Sequence, residues 1–172
     1  MGLRGHHRSI ASSVQTVSFL VVRFGNRYCA VPADGVRGVL TREEAGTEET
    51  VMAVGVTYHD VDLASRLSTA VDVTDPDIRT VLYSNGHTHG AFRVEEVIGM
   101  IDVERTQCRP LPPHFQQEER TWISGTVFFR NELALIVNPE WVLGELGEEM
   151  SSHAKMAGVR ALTASVSQGG QC

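Results

Sequence analysis

The segment VSFLVVRF at residues 17–24, followed at once by Gly25-Asn26, constrains the fold more than any other part of the chain. Its β-branched and aromatic residues favour extended backbone. Side chains alternate across a strand, so Leu20, Val22 and Phe24 lie on one face and Phe19 and Val21 on the other. A strand that is apolar on both faces has no side to turn to water and belongs in an interior position. Gly25 accepts positive φ, which makes Gly25-Asn26 a two-residue hairpin turn. The return strand covers residues 27–31 and stops at Pro32.

The pattern recurs downstream. Residues 78–83 (IRTVLY) form a strand, Asn85-Gly86 opens a turn, and residues 90–94 return. Residues 97–103 continue around a bend near Gly99, and a third hairpin pairs residues 122–129 with 132–137 across Arg130-Asn131. Helix is expected in two short pieces, residues 62–67 and 139–146; in the second, Asn138 is a good N-cap and Pro139 takes the first helical position. Many short strands joined by glycine-containing turns predict small barrels, not a sheet of alternating strands and helices. The ends differ from this middle. Residues 1–16 are small and polar, and residues 148–172 supply few large apolar groups, so both are expected to be flexible extensions of a unit at 17–147.

Charge narrows the function. Fifteen Lys and Arg stand against 21 Asp and Glu, a net charge of −6, whereas phosphate binding needs a basic footprint. Aromatics are 6% of the chain, too few for a base-stacking platform. No apolar run approaches the roughly 20 residues of a bilayer-spanning helix, and the first residues lack the apolar stretch of a secretory signal. Cys29 and Cys108 are isolated, Cys172 ends the sequence, and no CxxC pair occurs, which fits a reducing, cytoplasmic setting.

Catalytic signatures are absent from the sequence: it has no GxSxG elbow, P-loop, HExxH or glycine fingerprint for dinucleotides. His87 and His89 share one side of an extended chain, but nothing nearby in sequence completes a tetrahedral metal site; a polar turn is the better reading. His59, Asp60 and Asp62 suggest acid–base chemistry, yet Asp62 reads more simply as the cap of the helix that follows. Glu43, Glu44, Glu48 and Glu49 make residues 41–50 an acidic, solvated connection, or a steering patch for a basic partner. Pro110, Pro112 and Pro113 read as a stiff connector, and Cys29 as a small buried hydrophobe. No enzyme activity and no cofactor are implied.

The order of these pieces resembles the CheW-like domain family. FLVVRFGNRYCAVPADGVRGVL, residues 19–40, is similar to the family's opening: an apolar strand, a tight turn, Tyr-x-Ala-Val-Pro, then Val-x-x-Val. Residues 55–67 resemble the segment ending in Asp-Leu-Arg-x-Arg-Leu, residues 90–101 the strand that runs into Val-Asp-x-Val and a glycine, and Ile123-Ser-Gly125 with residues 133–143 the closing hairpin and helix. The resemblance implies two small intertwined five-stranded SH3-like β-barrels over a common hydrophobic core, with short helices. It also implies a non-catalytic adaptor that links a CheA-type histidine kinase to chemoreceptor cytoplasmic tips. On the family's pattern the kinase side lies near Val36, Arg37, Gly38, Val39 and Leu40, although Val36, Val39 and Leu40 could instead fill the first barrel, and the receptor side includes Val54 and Gly55.

The departures bear on the receptor side. Gly55 of the family's Asn-Leu-Arg-Gly element is kept, but Val54 stands where the Arg is usual and Ala53 where the Leu is usual. The acidic run replaces a proline-containing loop, His59 stands where a proline precedes the Asp-Leu element, and the acidic residue of Val-Asp-x-Val becomes Arg93 or shifts to Glu95. Beside the coupling role stands a second expectation, a regulatory or decoy module that binds the kinase without a receptor. A small-ligand or nucleic-acid barrel and a hydrolase built on His59 and Asp60 are weaker readings; the charge opposes the first, and no nucleophile or oxyanion donor supports the second.

Overall fold

The structure, a computed structural model, describes residues 15–67, 69–140, 143 and 144. The expected extensions therefore lie almost wholly outside the described residues. Ten strands are formed: β1 Thr16–Phe24, β2 Arg27–Pro32, β3 Val36–Thr41, β4 Thr50–Ala53, β5 Val56–Asp60, β6 Arg79–Ser84, β7 His89–Val94, β8 Glu96–Glu104, β9 Ile123–Phe129 and β10 Glu132–Val137. They build two five-stranded sheets, in the orders β8-β1-β2-β10-β9 and β3-β6-β7-β5-β4. The chain leaves the first sheet after β2, lays down all of the second, and returns at β8. That return makes the two barrels intertwined, as the resemblance implies.

Three apolar clusters explain the sequence pattern. Phe19, Ala30, Val127, Ala134 and Ile136 fill the first barrel. Ala45, Val51, Tyr58, Leu82 and Ala91 fill the second. Between them lies a common core, supplied by Leu20, Val22, Phe24, Cys29, Val31, Leu135 and Val137 from the first sheet and Val81, Tyr83, Phe92 and Val94 from the second. The inner strand β1 thus sends Phe19 into its own barrel and Leu20, Val22 and Phe24 into the common core, which is why both of its faces are apolar. Leu20 and Leu82 are almost fully buried; Ile101 is half-buried at the margin of the first barrel.

Turn chemistry places the strands as expected at three points. Gly25 has φ of 57° between the paired Phe24 and Arg27. Arg130 and Asn131 both have positive φ (48° and 64°) in the two-residue turn from β9 to β10. The bend near Gly99 is a β-bulge, since the β1–β8 register slips between Val21–Gly99 and Val22–Val97.

Helix is sparse, in short pieces. Helix α2, Leu63–Arg66, is capped by Asp62, whose Oδ1 accepts the Ser65 N–H at 3.0 Å. Pro139, Glu140, Leu143 and Gly144 are helical, and the Asn138 side chain donates to the Thr121 carbonyl at 3.0 Å. Two helical turns differ from the expectation. Residues 42–45 of the acidic connection form α1, Arg42–Ala45, because Thr41 and Glu44 make a reciprocal capping box. Trp122 is not the first residue of β9; it closes α3, Glu119–Trp122, where its side chain caps the common core.

Candidate functional site

The residues singled out for partner binding fall on the second sheet. Strand β3 carries Val36, Arg37, Gly38, Val39 and Leu40 and forms one edge of that sheet, bonded only to β6. Its alternation divides the set. Val36 and Leu40 are half-buried and pack against the common core and the second barrel respectively, while Arg37 and Val39 face outward. None of Val36, Val39 and Leu40 fills the first barrel, because β3 pairs with β6 in the second sheet; Val39 is the exposed apolar residue of the edge. Arg37 is tethered, its guanidinium donating to the Ser84 carbonyl at 3.4 Å.

Val54 and Gly55 sit at the opposite end of the strand order, on the two-residue turn between β4 and β5, where Ala53 pairs Val56. Both have positive φ, 51° and 76°, the pattern of a type I′ turn. Gly55 takes that conformation without cost; a β-branched side chain at Val54 does not. The Val54 side chain is completely exposed, and Met52, two residues before it, is 66% exposed. The structure therefore does not bring the two sets onto one strand: they occupy the two edges of one sheet, with α1 connecting β3 to β4.

The other candidates resolve into structural roles. Asp60 is half-buried and pairs with the Arg93 guanidinium at 2.8 Å, and Arg93 also donates to the Glu48 carbonyl at 2.6 Å. Burial pushes the Asp60 carboxyl above the ordinary carboxylate range, and the adjacent Arg93 opposes that rise. The Arg93 partner was missed from sequence because the parallel pairing of β5 with β7, Asp60 opposite Ala91, is what places it. His89 stands edge-on to Tyr58, with ring centroids 5.4 Å apart, and its Nδ1 is buried without a partner. Among the described residues no group of three or more His, Cys, Asp or Glu is placed to hold a metal ion. Cys29 is fully buried, and burial raises its thiol pKa to about 12, unsuited to nucleophilic chemistry. No helix among the described residues is long and apolar enough to cross a membrane.

The proline connector closes the first barrel. Arg120 donates to the Pro112 and Phe115 carbonyls at 2.6 and 3.1 Å. Arg109 and Thr126 exchange backbone bonds of 2.8 Å in both directions, joining the end of this loop to β9. Gly125 permits the approach, since a Cβ there would lie 2.6 Å from the Arg109 carbonyl oxygen.

Comparison with known proteins agrees with this architecture. No curated protein matches the sequence. Among solved structures, the scaffolding protein TtCheW from Thermoanaerobacter tengcongensis superposes with a TM-score of 0.62 at 13% identity, over 72% of this chain and 90% of that one. At that identity the likeness speaks for the fold. The model of the CheW-like domain matches residues 18–146, most of the sequence, and the chain therefore belongs to the CheW-like domain family.

Proposed function

We propose that this protein is a non-catalytic scaffold of bacterial chemosensory signalling that works in the cytoplasm and links a CheA-type histidine kinase to chemoreceptors. The adaptor unit is residues 17–147, with 1–16 and 148–172 outside it. The observation that carries the reading is the CheW-like match over residues 18–146 on a fold of two barrels around one core. The edge strand β3 supplies the kinase-side surface, where a partner strand or loop reaches the free backbone groups beside Arg37 and Val39.

A second reading, a module that binds the kinase without a receptor, is favoured by Val54. A guanidinium forms charge-assisted, bidentate bonds with a carboxylate, and an isopropyl group does not. Loss of one such contact at an interface centre costs about 2 kcal/mol, roughly thirtyfold in affinity. Titration calorimetry with a kinase regulatory domain and a receptor tip tests both readings. Coupling requires heat with each partner. The receptor-free reading requires heat with the kinase alone and gain of receptor binding in Val54→Arg. No heat with the kinase domain refutes both.

A further inference from the structure

The face of the first sheet that builds the common core extends beyond its cover. Along β10, Leu133, Leu135 and Val137 share that face, and their exposure falls from 48% to 8% to 2%. Leu135 and Val137 belong to the common core, and Leu133 lies past its end. Phe128 stands opposite Leu133 in the β9–β10 ladder and is 57% exposed, while its neighbours Val127 and Phe129 pack in the first barrel. Among the described residues, Phe128 and Leu133 are the one pair of exposed large apolar side chains that face each other across a ladder. Cross-strand partners sit side by side, so the two make one continuous patch. The backbone of Thr126, on the outer edge of β9, is already bonded to Arg109. The patch therefore offers a face to an occupant, not an edge for strand addition.

The size of the patch selects that occupant. The exposed parts of one Phe and one Leu come to roughly 200 Å², far below the ~800 Å² per partner of a standard interface. A free partner or a second copy loses more translational and rotational freedom than so small a patch returns. A segment of the same chain has already lost most of that freedom. The described residues end at Gly144, one residue after Leu143, which is itself buried in the common core. The chain thus departs from the core that the patch borders. In the remaining sequence, residues 145–172, the stretch MAGVRALTASV at 156–166 carries Met156, Val159, Leu162 and Val166 at i, i+3, i+6 and i+10, the spacing of one helix face. From Leu133 to Gly144 the strand and the helix span at most about 30 Å. Residues 145–155 reach about 35 Å when extended, enough to bring that stretch back to the patch.

We infer that residues 156–166 dock in cis on the outer face of the β9–β10 hairpin, with Met156, Val159, Leu162 and Val166 set against Phe128 and Leu133. A tether this short holds the segment at roughly millimolar local concentration. A contact with a Kd of about 0.1 mM, weak for a folded interface, then leaves it docked about ten times as often as free. The segment is a tethered cover for the open end of the common core. A partner that uses this face has to displace it first.

So short a stretch, with Gly158 inside it, is a marginal helix by itself, so amide protection there reports contact with the domain. In hydrogen-exchange mass spectrometry of the full chain, residues 156–166 should exchange roughly tenfold more slowly than the same peptide alone, at every protein concentration. Leu162→Asp should abolish that protection and leave the strands as protected as in wild type. Phe128→Ser combined with Leu133→Ser should abolish it as well. If that double variant loses strand protection, a nitroxide on Ser165→Cys, in a chain carrying Cys108→Ser and Cys172→Ser, gives the location instead. It should broaden the NMR amide signals of Phe128 and Leu133 before that of Met100, which lies on the opposite edge strand of the sheet. Exchange of the wild-type segment at the rate of the free peptide overturns the inference. Protection that survives in a folded double variant, or equal broadening at Met100, also overturns it, because the segment then lies elsewhere. Protection that grows with protein concentration places the segment on a second copy and overturns docking in cis.

Discussion

Gly125→Ala probes the closure of the first barrel. An ideal Cβ at residue 125 lies 2.6 Å from the Arg109 carbonyl oxygen and 3.7 Å from Ile136 Cδ1. The nearer obstacle is backbone, and it is held in place, because that carbonyl accepts the Thr126 N–H and the Arg109 N–H donates back to Thr126, both at 2.8 Å. Relief of the clash pushes the connector at Arg109 outward and breaks this pair. Thr126 is only 2% exposed, so its freed N–H finds no water. An unsatisfied buried donor costs about 1–3 kcal/mol, and overpacking adds about 1–3 kcal/mol. The stiffer unfolded chain of the alanine variant returns about 0.4–1 kcal/mol. The net loss is about 1–5 kcal/mol, seen as a fall in Tm of roughly 3–20 °C for a domain of this size. Gly144→Ala is the control: it is helical, and its Cβ would meet nothing within 4 Å. It should lie within about 1 kcal/mol of wild type, on the stable side. Thermal unfolding of both variants by circular dichroism decides. A Gly125→Ala midpoint within about two degrees of wild type, below the shift expected, would show that the connector yields freely, and would refute the claim that this glycine closes the barrel.

Two further outcomes follow from the buried polar and sulfur groups. Asp60 is raised in the folded state, chiefly by burial, so its ionised form lowers stability at neutral pH, and that cost vanishes as pH falls through the raised value. Arg93→Met should therefore cost about 1–3 kcal/mol at pH 7 and less near pH 4 in denaturant titrations, given the partial exposure of the pair; a penalty equal at both pH values would place the loss in the Glu48 carbonyl bond or in packing. Cys29, buried and with its thiol raised to about 12, should resist iodoacetamide in the native protein, whereas half-buried Cys108 should be alkylated first. Peptide mass spectrometry that finds Cys29 modified as fast as Cys108 would contradict the packing of the common core.

What the sequence determined alone is what depends on neighbours in the chain. The β1–β2 and β9–β10 hairpins were legible because two-residue turns and apolar runs act locally, and the Asp62 cap because it reaches only three residues ahead. The capping box of Thr41 and Glu44 was equally local and was available to be read. The β4–β5 hairpin was not legible: its turn is Val-Gly, without the usual Asn or Asp, and the exposed Met52 and Val54 break the alternation that marks a half-buried strand. Both edges of the candidate site, β3 and the hairpin tip, were marked by resemblance, but which side chains face outward was set by the second barrel closing on Val51, Tyr58 and Leu82. Asp60 met Arg93, and Gly125 met Arg109, only through pairings between distant strands and loops. Tertiary structure decided these contacts because non-local approach depends on how sheets curl and which cores they share, and no periodicity within a single segment records that geometry.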